Sequence, residues 1–146
     1  MKRIVRIAAL VLLVFLVAIQ FIPVERTNPP VRREIHWDSP EVADLARRAC
    51  YDCHSNETVW PWYSYVAPIS WRVTDHVNHG RRHLNFSEWN TSQEDLNDIL
   101  ASVKGEEMPL EDYLWLHPEA VLDGEMRTDF IQGMGRAYQA DPPGQP

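Results

Sequence analysis

The sequence predicts an all-α protein, with one apolar helix long enough to cross a membrane followed by a small helical domain. Three observations lead there. Positions Ile7 to Val24 form an apolar run interrupted only by Gln20. Four later stretches place apolar residues at helical spacing. No stretch alternates apolar and polar residues well enough to be a strand. With 146 residues, 45% of them hydrophobic and 24% charged, the chain suits one compact domain and excludes a large multi-domain enzyme. Six Trp and five Tyr argue against a disordered chain.

Residues 1–24 begin with Lys2, Arg3 and Arg6 and continue as the apolar run. Eighteen residues at 1.5 Å each span roughly 27 Å, close to the hydrocarbon thickness of a bilayer. The stretch from Leu16 to Phe21 offers no small-x-small cleavage site, so the segment reads as an uncleaved anchor rather than a signal peptide. Arg26, Arg32 and Arg33 nearly balance the basic residues before the run, and charge alone does not orient it.

Residues 25–38, with Pro29-Pro30, are expected as an extended linker between anchor and domain, the alternative being an ordered strap packed on the domain. The helical domain proper is expected over 39–140. Ser39, Pro40 and Glu41 supply a cap, a first-turn proline and an acid at the positive end of a helix dipole. Val42, Leu45, Ala46, Ala49, Cys50 and Cys53 follow on one face, which puts both cysteines on that helix. A second helix is expected from Pro68 to a stop at Gly80, and a third from Thr91 or Ser92, capped with Glu94, to Gly105. A fourth runs from Asp123 to about Tyr138, with Met126, Phe130, Met134 and Ala137 in one stripe. Residues 141–146 read as a disordered tail, and no internal repeat is found.

Beyond residue 24 the chain carries 11 basic and 21 acidic residues. Nucleic-acid binding, which relies on Lys and Arg against phosphates, is not expected. A basic protein partner suits this charge better.

The only two cysteines stand in Cys50-Tyr51-Asp52-Cys53-His54, the attachment pattern of c-type haem. Two intervening residues set both thiols at the two vinyl groups of one porphyrin, and His54 offers a ring nitrogen to the iron. Three other readings compete: a thioredoxin-like pair, half of a zinc site, and a disulfide. The first lacks its βαβ setting, the second lacks a second ligand pair, and the third gives His54 no role. Covalent haem is attached outside the cytoplasm, so the domain is expected to face the periplasm from a single pass through the inner membrane.

Met108 is the first choice for the sixth iron position, since it sits in a loop between the Gly105 helix stop and Pro109, and a thioether suits an electron-carrying haem. His76, His79 and His83 compete for that position, and an open or water-filled site is the third possibility. The same three histidines could instead hold zinc, although Gly80 is expected to break the helix between His79 and His83. Met126 and Met134 read as core, Met1 lies beyond the anchor, and His36 and His117 read as surface or loop-fixing residues. Trp60, Trp62, Tyr63, Tyr65 and Trp71 are expected either to cover a haem edge or simply to fill the core. Arg81 and Arg82 are expected either to pair with haem propionates or to form a solvated surface pair.

Together these stretches resemble a family of small membrane-anchored bacterial proteins with a haem-binding domain related to cytochrome c. The resemblance is carried by Gln20-Phe21-Ile22, Arg26-Thr27-Asn28-Pro29-Pro30, the Cys50–Thr58 stretch, Pro61-Trp62-Tyr63-Ser64 and Leu84-Asn85-Phe86-Ser87-Glu88-Trp89. It extends to Gly105-Glu106-Glu107-Met108-Pro109 and Leu116-His117-Pro118-Glu119-Ala120. The family often shows Gly-Glu-Met-Pro-Pro, and this chain departs from it by Glu107 and Leu110. The resemblance implies a cytochrome c-like domain around a single covalent haem on an exported domain, without a defined reaction. A membrane-anchored one-electron carrier, not a catalyst, is the leading expectation. The alternatives are a haem-based ligand sensor or small peroxidase-like enzyme with displaceable Met108, and an assembly protein that needs haem to fold.

Overall fold

A computed structural model describes residues 1–145. Its helices are α1 (Lys2–Ala18), α2 (Pro40–Ala49), α3 (Tyr51–His54), α4 (Ile69–His83), α5 (Leu96–Lys104), α6 (Glu111–Leu114) and α7 (Gly124–Ala140). Among the described residues there is no strand, only one isolated bridge between Arg33 and Glu88, so the fold is all-α. The chain divides into two compact units: residues 1–27 with 60–76, and residues 28–59 with 77–145.

In the smaller unit α1 continues as a single 3₁₀ turn, Ile19–Phe21. Lys2–Phe21 is long and apolar enough to cross a membrane, with mean hydropathy 2.7. No residue of α1 is buried. Gln20, the one polar interruption of the apolar run, acts as a clamp. Its side-chain nitrogen donates to the carbonyls of Leu16 (2.8 Å) and Ala67 (3.1 Å), and its oxygen accepts from the Ala67 amide (2.9 Å). Arg26 donates to the Ser64 carbonyl at 3.0 Å and lies 4.4 Å over the Tyr65 ring.

The larger unit is built on α2, α5 and α7. Ser39 caps α2 by accepting from the Val42 amide, Pro40 fills the first turn, and Val42, Leu45, Ala46 and Ala49 form the buried face. α7 begins where the sequence predicts a helix, and Asp123 caps it through the Glu125 and Met126 amides. Phe130, Gly133, Met134 and Ala137 face inward, and a Cβ at Gly133 would collide with the side chain of Val42. That glycine is what lets α2 and α7 approach closely. Ile99 and Val103 of α5 complete this layer, and Trp37, Tyr51, Phe86 and Trp89 pack with it.

Five sequence expectations need correction. The first helix ends at Ala49 rather than running on to Cys53, because Cys50 leaves helical geometry at φ −127° and ψ −36°. α4 does not stop at Gly80 but continues to His83. α5 begins at Leu96, capped by Asp95, while the Thr91 hydroxyl donates instead to the Glu88 carbonyl. The later half of the 25–38 stretch is a strap: Arg32 and Ile35 donate to the carbonyls of Ser87 and Phe86, and Ile35 is buried. Residues 141–145, expected as tail, are held as well. Trp89 donates its indole proton to the Asp141 carbonyl at 2.6 Å, Arg33 pairs with Asp141, and the Gly144 amide reaches the Trp89 carbonyl. The last residue of that expected tail, Pro146, lies outside the described residues.

Candidate functional site

Cys50, Cys53 and His54 occupy a single turn. The Cys50 amide closes α2 on the Ala46 carbonyl, and the Cys50 carbonyl then accepts from the amides of Cys53 (3.1 Å) and His54 (2.9 Å). Breaking the helix at Cys50 re-aims the two thiols relative to the buried stripe of α2, and both are half-buried and not joined to each other.

The two residues between the cysteines fix the turn from opposite sides. Tyr51 is buried, stacked on Phe86 with ring centroids 5.2 Å apart, and its hydroxyl donates to Glu34 while accepting from the Trp37 indole. Asp52 accepts from the Val59 amide with one carboxylate oxygen and from the Tyr113 hydroxyl with the other, each at 2.9 Å. Downstream, the Ser55 hydroxyl donates to the Tyr51 carbonyl and the Phe86 amide to the His54 carbonyl. A turn held at this many points is preorganised for a ligand.

The His54 ring is oriented by α4. Its Nδ1 lies 3.2 Å from the Gly80 carbonyl and 3.1 Å from the Leu84 carbonyl. Carbonyl oxygens only accept, so the proton resides on Nδ1 and the lone pair on Nε2. A metal-binding histidine is commonly held in this way, with its second nitrogen hydrogen-bonded to a backbone carbonyl. Burial lowers the pKa of the ring, which favours the neutral, ligating form. Gly80 allows the approach: a Cβ there would lie 2.5 Å from the Cys53 carbonyl oxygen. The glycine expected as a helix stop is a contact point between α4 and the cysteine turn.

Burial, followed by the neighbouring Cys53, pushes the Cys50 thiol up to about 12. Burial, followed by the Asp52 carboxylate, does the same for Cys53. Among the described residues there is no strand, so the βαβ setting of a thioredoxin-like pair is not formed. Among the described residues no group of three or more His, Cys, Asp and Glu is arranged to hold a metal ion.

Met108 lies in a separate loop and is half-buried against the main core. The amides of Glu107 and Met108 both reach the Ser102 carbonyl. Glu106, not Gly105, takes the left-handed conformation at the end of α5, with φ 61°, and its carboxylate pairs with Arg127. Tyr113, five residues beyond Met108, brings this part of the chain to Asp52.

His76 is half-buried on α4. Because the helix continues through Gly80, His79 and His83 share one exposed face with ring centroids 4.5 Å apart, contrary to the expected break. His83 Nδ1 lies 3.8 Å from Glu94. His117 stacks on Tyr113 and contacts Glu119, in keeping with a loop-fixing role, and His36 is exposed. Met134 is fully buried, as expected of core, and Met126 is partly buried and packed against the same core.

Arg81 is spent within the protein. It donates to the Ser55 carbonyl (2.7 Å), the Thr58 hydroxyl (2.8 Å) and the Asn28 side chain (3.1 Å), tying down the chain after the motif rather than offering itself to a propionate. Arg82 is exposed. Trp62, Tyr65 and Trp71, expected at a haem edge or in the core, are exposed in the smaller unit. Asp52, Gly80, Arg81 and Tyr113 are the positions whose roles the sequence did not disclose. A glycine in mid-helix is the one visible signal among them.

The residues present fit a haem: two half-buried thiols not joined to each other, and one imidazole whose Nδ1 proton is held by backbone carbonyls, leaving Nε2 as the ligating nitrogen. A family model described as a haem-binding domain matches residues 14–135. No curated protein and no solved structure matches the chain.

Proposed function

Because the chain belongs to the haem-binding domain family, we propose that it is a membrane-anchored monohaem c-type cytochrome that passes single electrons on the periplasmic side of the inner membrane. The observation that carries this is the His54 ring, whose Nδ1 proton is held by two backbone carbonyls while Cys50 and Cys53 stand in the same turn. Haem binding follows from the family, and the spacing of Cys50 and Cys53 together with this geometry supports covalent attachment through them. α1 is the anchor, as its length and hydropathy allow.

Bound haem supplies a one-electron couple at its iron, whose potential is set by axial ligands and burial. His54 would hold the iron through Nε2, and the carbonyls of Gly80 and Leu84, by accepting a hydrogen bond from Nδ1–H, would raise the basicity of the ring. Met108 would offer its thioether as the second protein ligand. Its loop is pinned at Ser102 on one side and, through Tyr113, at Asp52 on the other, which restricts its movement. With both ligands supplied by the protein no substrate would coordinate and no general acid or base would be needed, and the acidic domain would meet a basic redox protein by electrostatic steering.

Met108→Ala tests the assignment. Haem should remain attached, the reduction potential should fall, and carbon monoxide should bind readily where the wild type resists it. Carbon monoxide binding equally to both proteins would move the function to a ligand sensor or a small peroxidase-like enzyme.

A further inference from the structure

The smaller unit exposes apolar side chains in a density that the larger unit lacks. Trp62 is 76% exposed and Ile69 48%, with Tyr65, Val66 and Trp71 exposed around them. Singly such residues are ordinary, but five within ten positions form a patch that calls for a covering phase. The position of the patch says which one. Twenty helical residues from Lys2 to Phe21 span about 30 Å, the thickness of the hydrocarbon layer, so Gln20 to Ile22 come at its boundary. Two hydrogen bonds join Gln20 to Ala67, in the middle of the patch, and Arg26 joins Ser64 and Tyr65. The patch is therefore tied to the level at which the helix leaves the lipid. Trp and Tyr, with an apolar body and a polar tip, are the residues that membrane interfaces enrich at that depth.

Resting on the reading of α1 as a membrane anchor, we propose that residues 62–71 form an interfacial platform, lying in the headgroup layer beside the end of α1 and giving the protein a second, non-spanning contact with the bilayer. A single helix leaves its domain free to swing on whatever chain follows it. A platform clamped to the helix end removes that freedom in the segment it holds. The Gln20–Ala67 pair then has a function beyond local satisfaction: it sets the register between the spanning and the surface-lying elements.

The test uses the full-length, haem-loaded protein in vesicles of phosphatidylcholine and phosphatidylglycerol that include a phospholipid with a diazirine near its acyl carbonyl. After photolysis, labelled peptides are located by mass spectrometry. Label is expected in α1 and in 62–71, the latter several-fold above the peptide bearing Trp115 and Leu116, which are equally apolar and exposed but belong to the larger unit. The double variant Trp62→Ser, Ile69→Ser, which leaves the Arg26–Tyr65 and Gln20–Ala67 contacts in place, should lose most of the label in 62–71 and retain it in α1. Label in α1 with none in 62–71, or no more there than at Trp115 and Leu116, overturns the platform. Absence of label from α1 itself overturns the anchor, and the platform with it.

Discussion

Aromatic residues in this chain have two opposite fates. Tyr51, Phe86 and Trp89 are buried in the larger unit, Phe86 and Trp89 completely, whereas Trp62, Tyr65 and Trp71 of the smaller unit face outward. The buried set is knitted by ring contacts, with Phe86 5.2 Å from Tyr51 and 6.3 Å from Trp89, and by hydrogen bonds that satisfy its polar tips. Burial of a Trp or Tyr costs little once the indole N–H or phenol O–H has a partner. The outer set follows Cys50–His54 closely in sequence and is the more conspicuous of the two. Aromatic density alone is thus no measure of burial. What decides is whether neighbouring elements offer both apolar cover and a partner for each polar tip.

The sharpest way to break this contrast is to truncate one ring from each set. Trp89→Ala should cost about 3–5 kcal/mol, the usual range for a large buried aromatic, while Trp62→Ala should stay within about 0.5 kcal/mol, as for most surface changes. Denaturant unfolding of the two haem-loaded variants measures both, and similar midpoints would erase the distinction. A second comparison is within helices. Gly80→Ala should cost about 1–3 kcal/mol and reduce haem incorporation, because its Cβ would press on the Cys53 backbone. Gly135→Ala on α7, where a Cβ meets nothing within 4 Å, should instead stabilise by about 0.5–1 kcal/mol. Tyr113→Phe, which removes one hydrogen bond to Asp52, should cost about 1 kcal/mol and loosen the Met108 loop, visible as increased carbon monoxide binding. The smallest effect is expected at Glu107. With Glu106 paired to Arg127, Glu107→Gln should slow electron exchange with a small basic cytochrome by no more than about twofold and flatten its salt dependence slightly.

Much of the fold was legible because its signals are local. Ser39-Pro40-Glu41 and Asp123 mark helix starts through side chains that bond the first free amides, and those bonds form. The Cys50–His54 motif is equally local, since it lies within five residues, and those residues form a single turn. What escaped was long-range. Nothing near Gly80 says that Cys53 will lie against it, so the glycine read as a stop. Thr91 and Glu94 have the spacing of a capping box, yet Thr91 is already committed to Glu88, and Asp95 captures the helix start instead. Arg33, Ile35 and Arg81 read as linker or surface residues because their partners, Asp141, the Phe86 backbone and Ser55, come from distant parts of the chain.

Covalent attachment of haem through Cys50 and Cys53 is measured most directly by haem staining of the full chain on a denaturing gel after acid-acetone extraction, beside the variant Cys50→Ala, Cys53→Ala. The wild type should keep its stain and the variant should lose it completely, since the chain holds no other thiol. Stain that survives in the variant, or that leaves the wild type on extraction, would contradict the attachment.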